Sequence, residues 1–464
     1  MQLTKVIFTV VLTVGLSACS SLQQLGSSSS LTAASSASSG YVPLRAHGAS
    51  SSPQYIKHIV IMIQENRSFD DFFATFPGAD GATQGLMKTS SGDIYVPLKA
   101  GKLFSDSLSH DHFSFNKEFD NGKMDGFGEV KRALRRGVQV PAGKYAYRYV
   151  NPKYIQPYWA IAQQWVLADH MFTTQGSSSF TAHQDLIAGG TPIGHHGDNV
   201  IDFPVPSSWG CNAQPGTKTD LITPKGEELY GAGPFPCFTY ATMRDLLDAA
   251  GVSWRYFTKP SNGAVWNAFD AISAVRNGPE WTTNIIIPET DIFNYVSSGT
   301  LPAVSWVIPD TRTSDHPGYP DKGPEWIASV VNAIGTSSYW PSTLVVVLWD
   351  EWGGEYDNVP PPQLDGQGLG MRVPMLLVSA YDKTTSASKP GYISHTQYED
   401  GSLLKFIEQN WNLGSLGTSD VRANSIADSF DFSQPPRNYV PIQTRYDASY
   451  WKRYKPSSAP IDDY

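Results

Sequence analysis

Positive charge is in short supply in this chain. Lys and Arg number 34 against 43 Asp and Glu in 464 residues, and the formal net charge is −9. Charged residues of both signs reach only 17%. So acidic a chain offers no broad basic field for nucleic acid or an anionic lipid surface. A phosphorylated substrate would need a local source of positive charge, such as a metal ion. Cysteine is scarcer still, at three residues. No stretch reaches the roughly 18 apolar residues of a membrane span. The sequence has no G-x-S-x-G elbow, P-loop, H-E-x-x-H pair or EF-hand loop, so those routes to hydrolysis or nucleotide binding lack support. Hydrophobic residues make up 41% and aromatics 12%. That is enough for a large core and excludes a wholly disordered chain.

The N-terminus reads as an address. Met1–Cys19 is MQLTKVIFTVVLTVGLSAC, with Lys5 before the apolar segment Val6–Leu16. That segment is too short to span a bilayer and suits an export signal. Its end, Leu16-Ser17-Ala18-Cys19, resembles a bacterial lipobox, in which the signal is cut before a lipid-bearing cysteine. The expectation is a signal at residues 1–18 and a membrane anchor at Cys19, facing the periplasm or the exterior. An ordinary secretory signal cut nearby is the alternative. The uncharged Ser/Ala/Gly-rich stretch Gly26–Gly40 reads as a tether within residues 19–54. For an exported chain, Cys211 and Cys237 are expected to form one disulfide; two free thiols are the alternative. Neither has Cys or His neighbours at zinc-finger spacing.

Short β-branched runs mark the folded part: Ile59–Ile63, Val304–Ile308, Leu344–Leu348 and Met375–Val378. Continuous runs of this kind suit strands buried on both faces of a parallel sheet. Helical patterns fall between or after them. Glu325–Ile334 follows Pro324, Ala241–Ala250 ends at Gly251, and Ser402–Trp411 places Leu403, Leu404, Phe406, Ile407 and Trp411 at helical spacing. The predicted class is α/β, a mostly parallel central sheet sandwiched by helices. Gly190–Pro236 has little periodicity and reads as a loop-rich excursion pinned by the disulfide. The folded domain is expected over residues 55–430, with an irregular tail over 431–464.

Three strand ends carry polar residues: Gln64-Glu65-Asn66, Trp349-Asp350-Glu351, and Pro309-Asp310 leading to Asp315-His316. Open α/β sheets bind ligands beyond the carboxyl ends of their strands. Glu65, Asn66, Asp350 and Glu351 would then form an oxygen-rich set suited to a divalent cation. Acids after strands also cap helices, which is the plainer reading of either pair alone. Gly176-Ser177-Ser178-Ser179-Phe180-Thr181-Ala182-His183 offers hydroxyls at a helix start, either as a nucleophile or as an N-cap. His110, His112, His316 and His395 could each serve a site or merely be structural.

Together these segments resemble the bacterial phosphoesterase family of phospholipases C and acid phosphatases. The stretches are HIVIMIQENRSFDDFF (His58–Phe73), HDHFSFNKEFDNGKMDGF (His110–Phe127) and DHMFTTQGSSSFTAHQDLIAG (Asp169–Gly189). TSDHPGYPDKGPEWIASVVNAI (Thr313–Ile334), LVVVLWDEWGGEYDNVPPP (Leu344–Pro362) and MRVPMLLVSAY (Met371–Tyr381) continue the match. The resemblance implies an alkaline-phosphatase-like core and a divalent metal of unknown identity held by Glu65, Asn66, Asp350 and Glu351. It implies Ser179 as nucleophile, with Ser177 and Ser178 as rivals. His183 lies just beyond it, and His110 and His316 stand around the phosphate. The implied substrate is a phosphate ester, either a phospholipid or a small molecule. A soluble phosphomonoesterase and a catalytically dead binding module are the alternatives. Two departures each remove an imidazole. Tyr356-Asp357-Asn358 stands where the family commonly has Tyr-Asp-His, and Glu399-Asp400-Gly401-Ser402 where it has Asp-His-Thr-Ser.

Overall fold

The computed structural model describes residues 54–459 and 461, apart from 135–137, 192, 194–199, 206–208, 261–264, 320–321, 366–367 and 387. The signal, Cys19 and the tether lie outside the described residues.

Eight strands form the central sheet: β1 (His58–Gln64), β2 (Val166–Phe172), β3 (Trp254–Phe257), β4 (Ile285–Ile286), β5 (Val304–Val307), β6 (Thr343–Trp349), β7 (Arg372–Ser379) and β8 (Tyr392–Ser394). Their order across the sheet is β4-β3-β5-β1-β6-β7-β2-β8. All neighbours run parallel except at β7, which is antiparallel to both β6 and β2. The run Met375–Val378 is thus buried on both faces as its composition predicts, but in an antiparallel strand. Burial alone does not distinguish the two directions.

Every residue of β5, β6 and β7 is buried. Burying each Val, Leu or Ile side chain contributes about 1.5–3 kcal/mol, so one register is strongly preferred. In that register Gln64 pairs with Trp349. The residues after each, Glu65 and Asp350, therefore leave the same edge of the sheet side by side. Because β2 crosses two antiparallel pairings, it too delivers its carboxyl end to that edge.

Helices cover the sheet. Those that bear on the site are α1 (Phe69–Phe73), α2 (His112–Phe119), α3 (Ser179–Ala188), α4 (Met243–Ala249), α5 (Gly323–Gly335) and α6 (Asp400–Trp411). Helix α5 has Pro324 in its first turn, and α4 is followed by Gly251 at φ +67°. Helix α3 packs on α6. Residues 431–459 are largely irregular, with a short helix at Ala448–Trp451 whose Trp451 is buried against Trp326.

The excursion differs from the expectation of loop alone. It holds a three-stranded antiparallel sheet of Val200–Val205, Lys218–Ile222 and Glu228–Leu229. Such short strands, interrupted by Pro and Gly, leave little alternation in the sequence. Cys211 and Cys237 are joined in a disulfide. Trp254, Trp266, Trp340, Trp349 and Trp352 are buried and Trp281 is partly buried.

Candidate active site

The turn after β1 is held by backbone groups. Glu65 N donates to Ser314 O at 2.8 Å, and Asp350 N to Gln64 O at 2.9 Å. Asn66 sits at φ +60°, a conformation asparagine tolerates better than most residues, and its N–H donates to Asp350 Oδ1 at 2.9 Å. Gly353 follows at φ +65°, and a Cβ there would lie 2.4 Å from Asn66 O. Only glycine lets the two turns approach this closely.

The side chains fall into two touching groups. Glu65, His183 and Asp350 are buried and offer donor atoms within 4.8 Å of one another. His183 Nε2 lies 3.2 Å from Glu65 Oε1 and 3.8 Å from Asp350 Oδ2. In the second group His110 Nε2 lies 3.1 Å from Asn66 Nδ2 and 3.7 Å from Glu351 Oε1. Glu351 Oε2 accepts from Gly353 N at 2.6 Å. The N–H of Asn66 on Asp350 joins the groups, so the four predicted ligands form one constellation.

Burial sets the charge state of the histidines. It pushes His183 down to about 4, with Asp350 opposing the shift only in part. It also lowers His110, against the hydrogen bond of its Nδ1 to Leu108 O at 2.6 Å. Glu65, Asp350 and Glu351 beside them are all wholly buried. Buried charge of one sign is costly unless a partner compensates it. Asn66 Oδ1 and Asp350 Oδ2 are also buried without a hydrogen-bond partner among the described residues. Two unmatched oxygens beside carboxylates and a neutral imidazole fit a divalent cation.

The serine run is sorted by its contacts. Ser177 Oγ donates to Asp202 Oδ1, which also accepts from Thr181 Oγ1 at 2.9 Å. Ser178 is the N-cap residue of α3 and Ser179 its first residue. Ser179 and His183 are four apart and share one helix face, the face that brings His183 to Glu65. Ser179 Oγ is buried and has no hydrogen-bond partner among the described residues. His316 is buried beyond β5, its Nδ1 2.6 Å from Pro317 O, in the loop whose Ser314 carbonyl holds Glu65.

His112, one of the four candidate histidines, and several residues that the sequence does not single out shape this edge. His112 Nδ1 lies 2.7 Å from Gly176 O, which ties the serine loop to α2. Arg67 binds Asp71 at 2.9 Å and the Asp315 carbonyl at 2.8 Å. Arg148 pairs with Glu355 at 2.5 Å, and Arg372 with Asp357 at 3.0 Å. The acids of both motifs that are not near the cluster therefore serve buried ion pairs. Both departures are occupied by hydrogen-bonding groups. Asn358 Oδ1 accepts from Arg372 Nη2 at 2.9 Å, and Asp400 Oδ2 from Thr174 N at 2.9 Å. The only sequence signal for these roles is the charge density of the motifs, which does not reveal partners.

Comparison with known proteins gives the family. The model of the Phosphoesterase family matches residues 56–414. The chain belongs to that family, and it is a hydrolase acting on phosphoric-ester bonds. It is 24% identical over 472 residues to phospholipase C B of Mycobacterium tuberculosis, covering 86% of this chain and 82% of that protein. It is 23% identical over 447 residues to a non-hemolytic phospholipase C of Pseudomonas aeruginosa, with 83% and 58% covered. Non-specific phospholipase C1 of Arabidopsis thaliana matches at 23% over 435 residues, with 83% and 73% covered. A solved structure of a protein in the alkaline phosphatase superfamily from Vibrio parahaemolyticus superposes with TM-score 0.38 at 11% identity. It covers 81% of this chain and 72% of that one, a likeness too slight to argue from.

Proposed function

We propose that this chain is an exported, phospholipase C-like hydrolase that depends on a divalent metal and uses Ser179 as its nucleophile. The observation that carries the reading is the buried Glu65–His183–Asp350 cluster, with Ser179 one helical turn from His183 on the same face. Glu65, Asn66, Asp350 and Glu351 would hold the ion, which when bound supplies positive charge for a phosphoryl oxygen and favours the serine alkoxide. Ser179 Oγ attacks phosphorus in line, and the bond from phosphorus to the substrate alcohol breaks. The leaving oxygen takes a proton from His110 or His316, whichever imidazole is protonated in the substrate complex. Water then attacks the phosphoseryl group, returning a proton to that imidazole and releasing Ser179.

The names of the relatives favour a phospholipid head-group ester as substrate. Burial of Trp254, Trp266, Trp340, Trp349 and Trp352, which therefore offer no apolar surface for lipid docking, favours the second reading, a soluble phosphomonoester. A dead binding module fits less well, because the four ligands and the serine are all present. The signal at residues 1–18 and the lipid anchor at Cys19 complete the proposal and rest on sequence alone.

The test is hydrolysis of a phosphomonoester, a phosphodiester and phosphatidylcholine by the purified mature chain, with and without chelator. Chelator should abolish turnover of whichever ester is cleaved. Chelator-resistant activity on all three would overturn metal dependence.

A further inference from the structure

A second group of metal-ligating side chains lies on β2 and just past β8, and β7 separates β2 from β6, the strand that Asp350 follows. It begins with an irregularity in pairing. Met171 pairs with Val373 and Ala168 with Met375. Asp169 and His170 therefore stand opposite the single residue Pro374, which has no N–H for the ladder. Two residues facing one is a β-bulge, which turns neighbouring side chains away from strict alternation. Here it brings His170 Nδ1 to 2.9 Å from Asp169 Oδ1. On the other side β8 pairs Ser394 with Ala168, so the next residue, His395, arrives beside Asp169. His395 Nδ1 lies 2.9 and 3.0 Å from the two carboxylate oxygens.

The surroundings fix the carboxylate. Asp80 N donates to Asp169 Oδ2 at 2.9 Å, and Asp80 Oδ2 lies 3.3 Å from His170 Nε2. Arg372 Nη1 binds the carbonyls of Asp80 and Asp169 at 2.7 and 2.8 Å. Donor atoms of Asp169, His170 and His395 all lie within 4.8 Å of one another. Asp169 is wholly buried, whereas the side chains of His170 and His395 are 23% and 60% exposed. The cluster is anchored from below and open to solvent above, which gives an ion a way in.

We propose that Asp169, His170 and His395 form a binding site for a transition-metal dication of the zinc class, distinct from the catalytic cluster. Two imidazole nitrogens and one carboxylate are a donor set that such ions prefer over calcium or magnesium. The Asp80 N–H and the Arg372 guanidinium orient the carboxylate and its strand, as outer partners do in metal sites. An ion here fastens the edge strand β8 and the Asp80 loop to β2.

The test uses the full mature chain carrying Asp350→Asn, so that the catalytic cluster no longer contributes. Chelator-stripped protein is titrated with Co²⁺ as a visible probe, then with Zn²⁺ in competition. One Co²⁺ per chain, displaced by Zn²⁺, is the expected result. Adding His395→Ala should weaken binding at least about tenfold, since even outer partners cost that much. Zn²⁺ should raise the melting temperature of the first chain and not of the second. His395 is exposed, so the variant should fold, and His395→Ala alone should keep wild-type hydrolysis. No Co²⁺ binding by the Asp350→Asn chain, or equal binding after His395→Ala, would overturn the proposal.

Discussion

Asp350→Asn should change the sign of its effect on stability with the cation present or absent. Asp350 is wholly buried; its Oδ1 accepts from Asn66 N at 2.9 Å, while Oδ2 has no hydrogen-bond partner among the described residues. Asparagine has the same shape and keeps the acceptor, so packing and the Asn66 turn survive. What is lost is one of three buried carboxylates. In chelator Asp350 is buried close to Glu65 and beside Glu351 in the chain, and removing its carboxylate relieves desolvation and repulsion by roughly 1–3 kcal/mol. For a chain of this length that is a rise of about 1–4 °C in melting temperature. With cation at about a hundred times its dissociation constant, the wild type gains about 2.7 kcal/mol, most of which the variant forgoes. Thermal unfolding in chelator and in excess Mn²⁺ or Ca²⁺ should show the two curves exchanging order. A wild type more stable than Asp350→Asn in chelator, and indifferent to added cation, would refute the charge argument.

Three further outcomes follow from the same geometry. Ser179→Ala should fold normally and lose several orders of magnitude in kcat, measured on the best ester, whereas Ser177→Ala, which removes the Asp202 contact, should retain measurable turnover. Gly353→Ala places a Cβ 2.4 Å from Asn66 O at positive φ, so kcat/KM should fall at least about tenfold, with a stability loss on the order of 1–3 kcal/mol by chemical denaturation. Burial pushes the Asp400 carboxyl up to about 7, above its unfolded value. The folded state then holds that proton longer, so the contribution of Asp400 is full below about pH 4 and is lost as pH rises to about 7. Asp400→Asn should flatten this part of the stability curve, and an unchanged slope would contradict the assignment.

What the sequence made legible follows from how local the signal is. The runs Ile59–Ile63 and Leu344–Leu348 are buried on both faces and become β1 and β6, and their register brings Glu65 beside Asp350. Strand-end acids thus point to residues that the fold sets side by side. The direction of β7 was not legible, because antiparallel and parallel buried strands have the same composition. The serine register was open for a related reason: three identical hydroxyls differ only in what faces them, and Asp202, 25 residues from Ser177, is the partner that separates one from the others. Arg148, Arg372 and Glu355 take meaning only from contacts across the fold. The Asp169–His170 pair reads as part of a motif until the Pro374 bulge and the arrival of His395 are seen.

Trapping the enzyme during turnover tests the serine nucleophile most directly. A substrate labelled at phosphorus is mixed with the mature chain and quenched in acid, and the peptide spanning Gly176–His183 is mapped. Label on Ser179 Oγ, absent when Asp350→Asn is used and when chelator is added, is the predicted result. Label on another side chain, or rapid hydrolysis by Ser179→Ala, would contradict it.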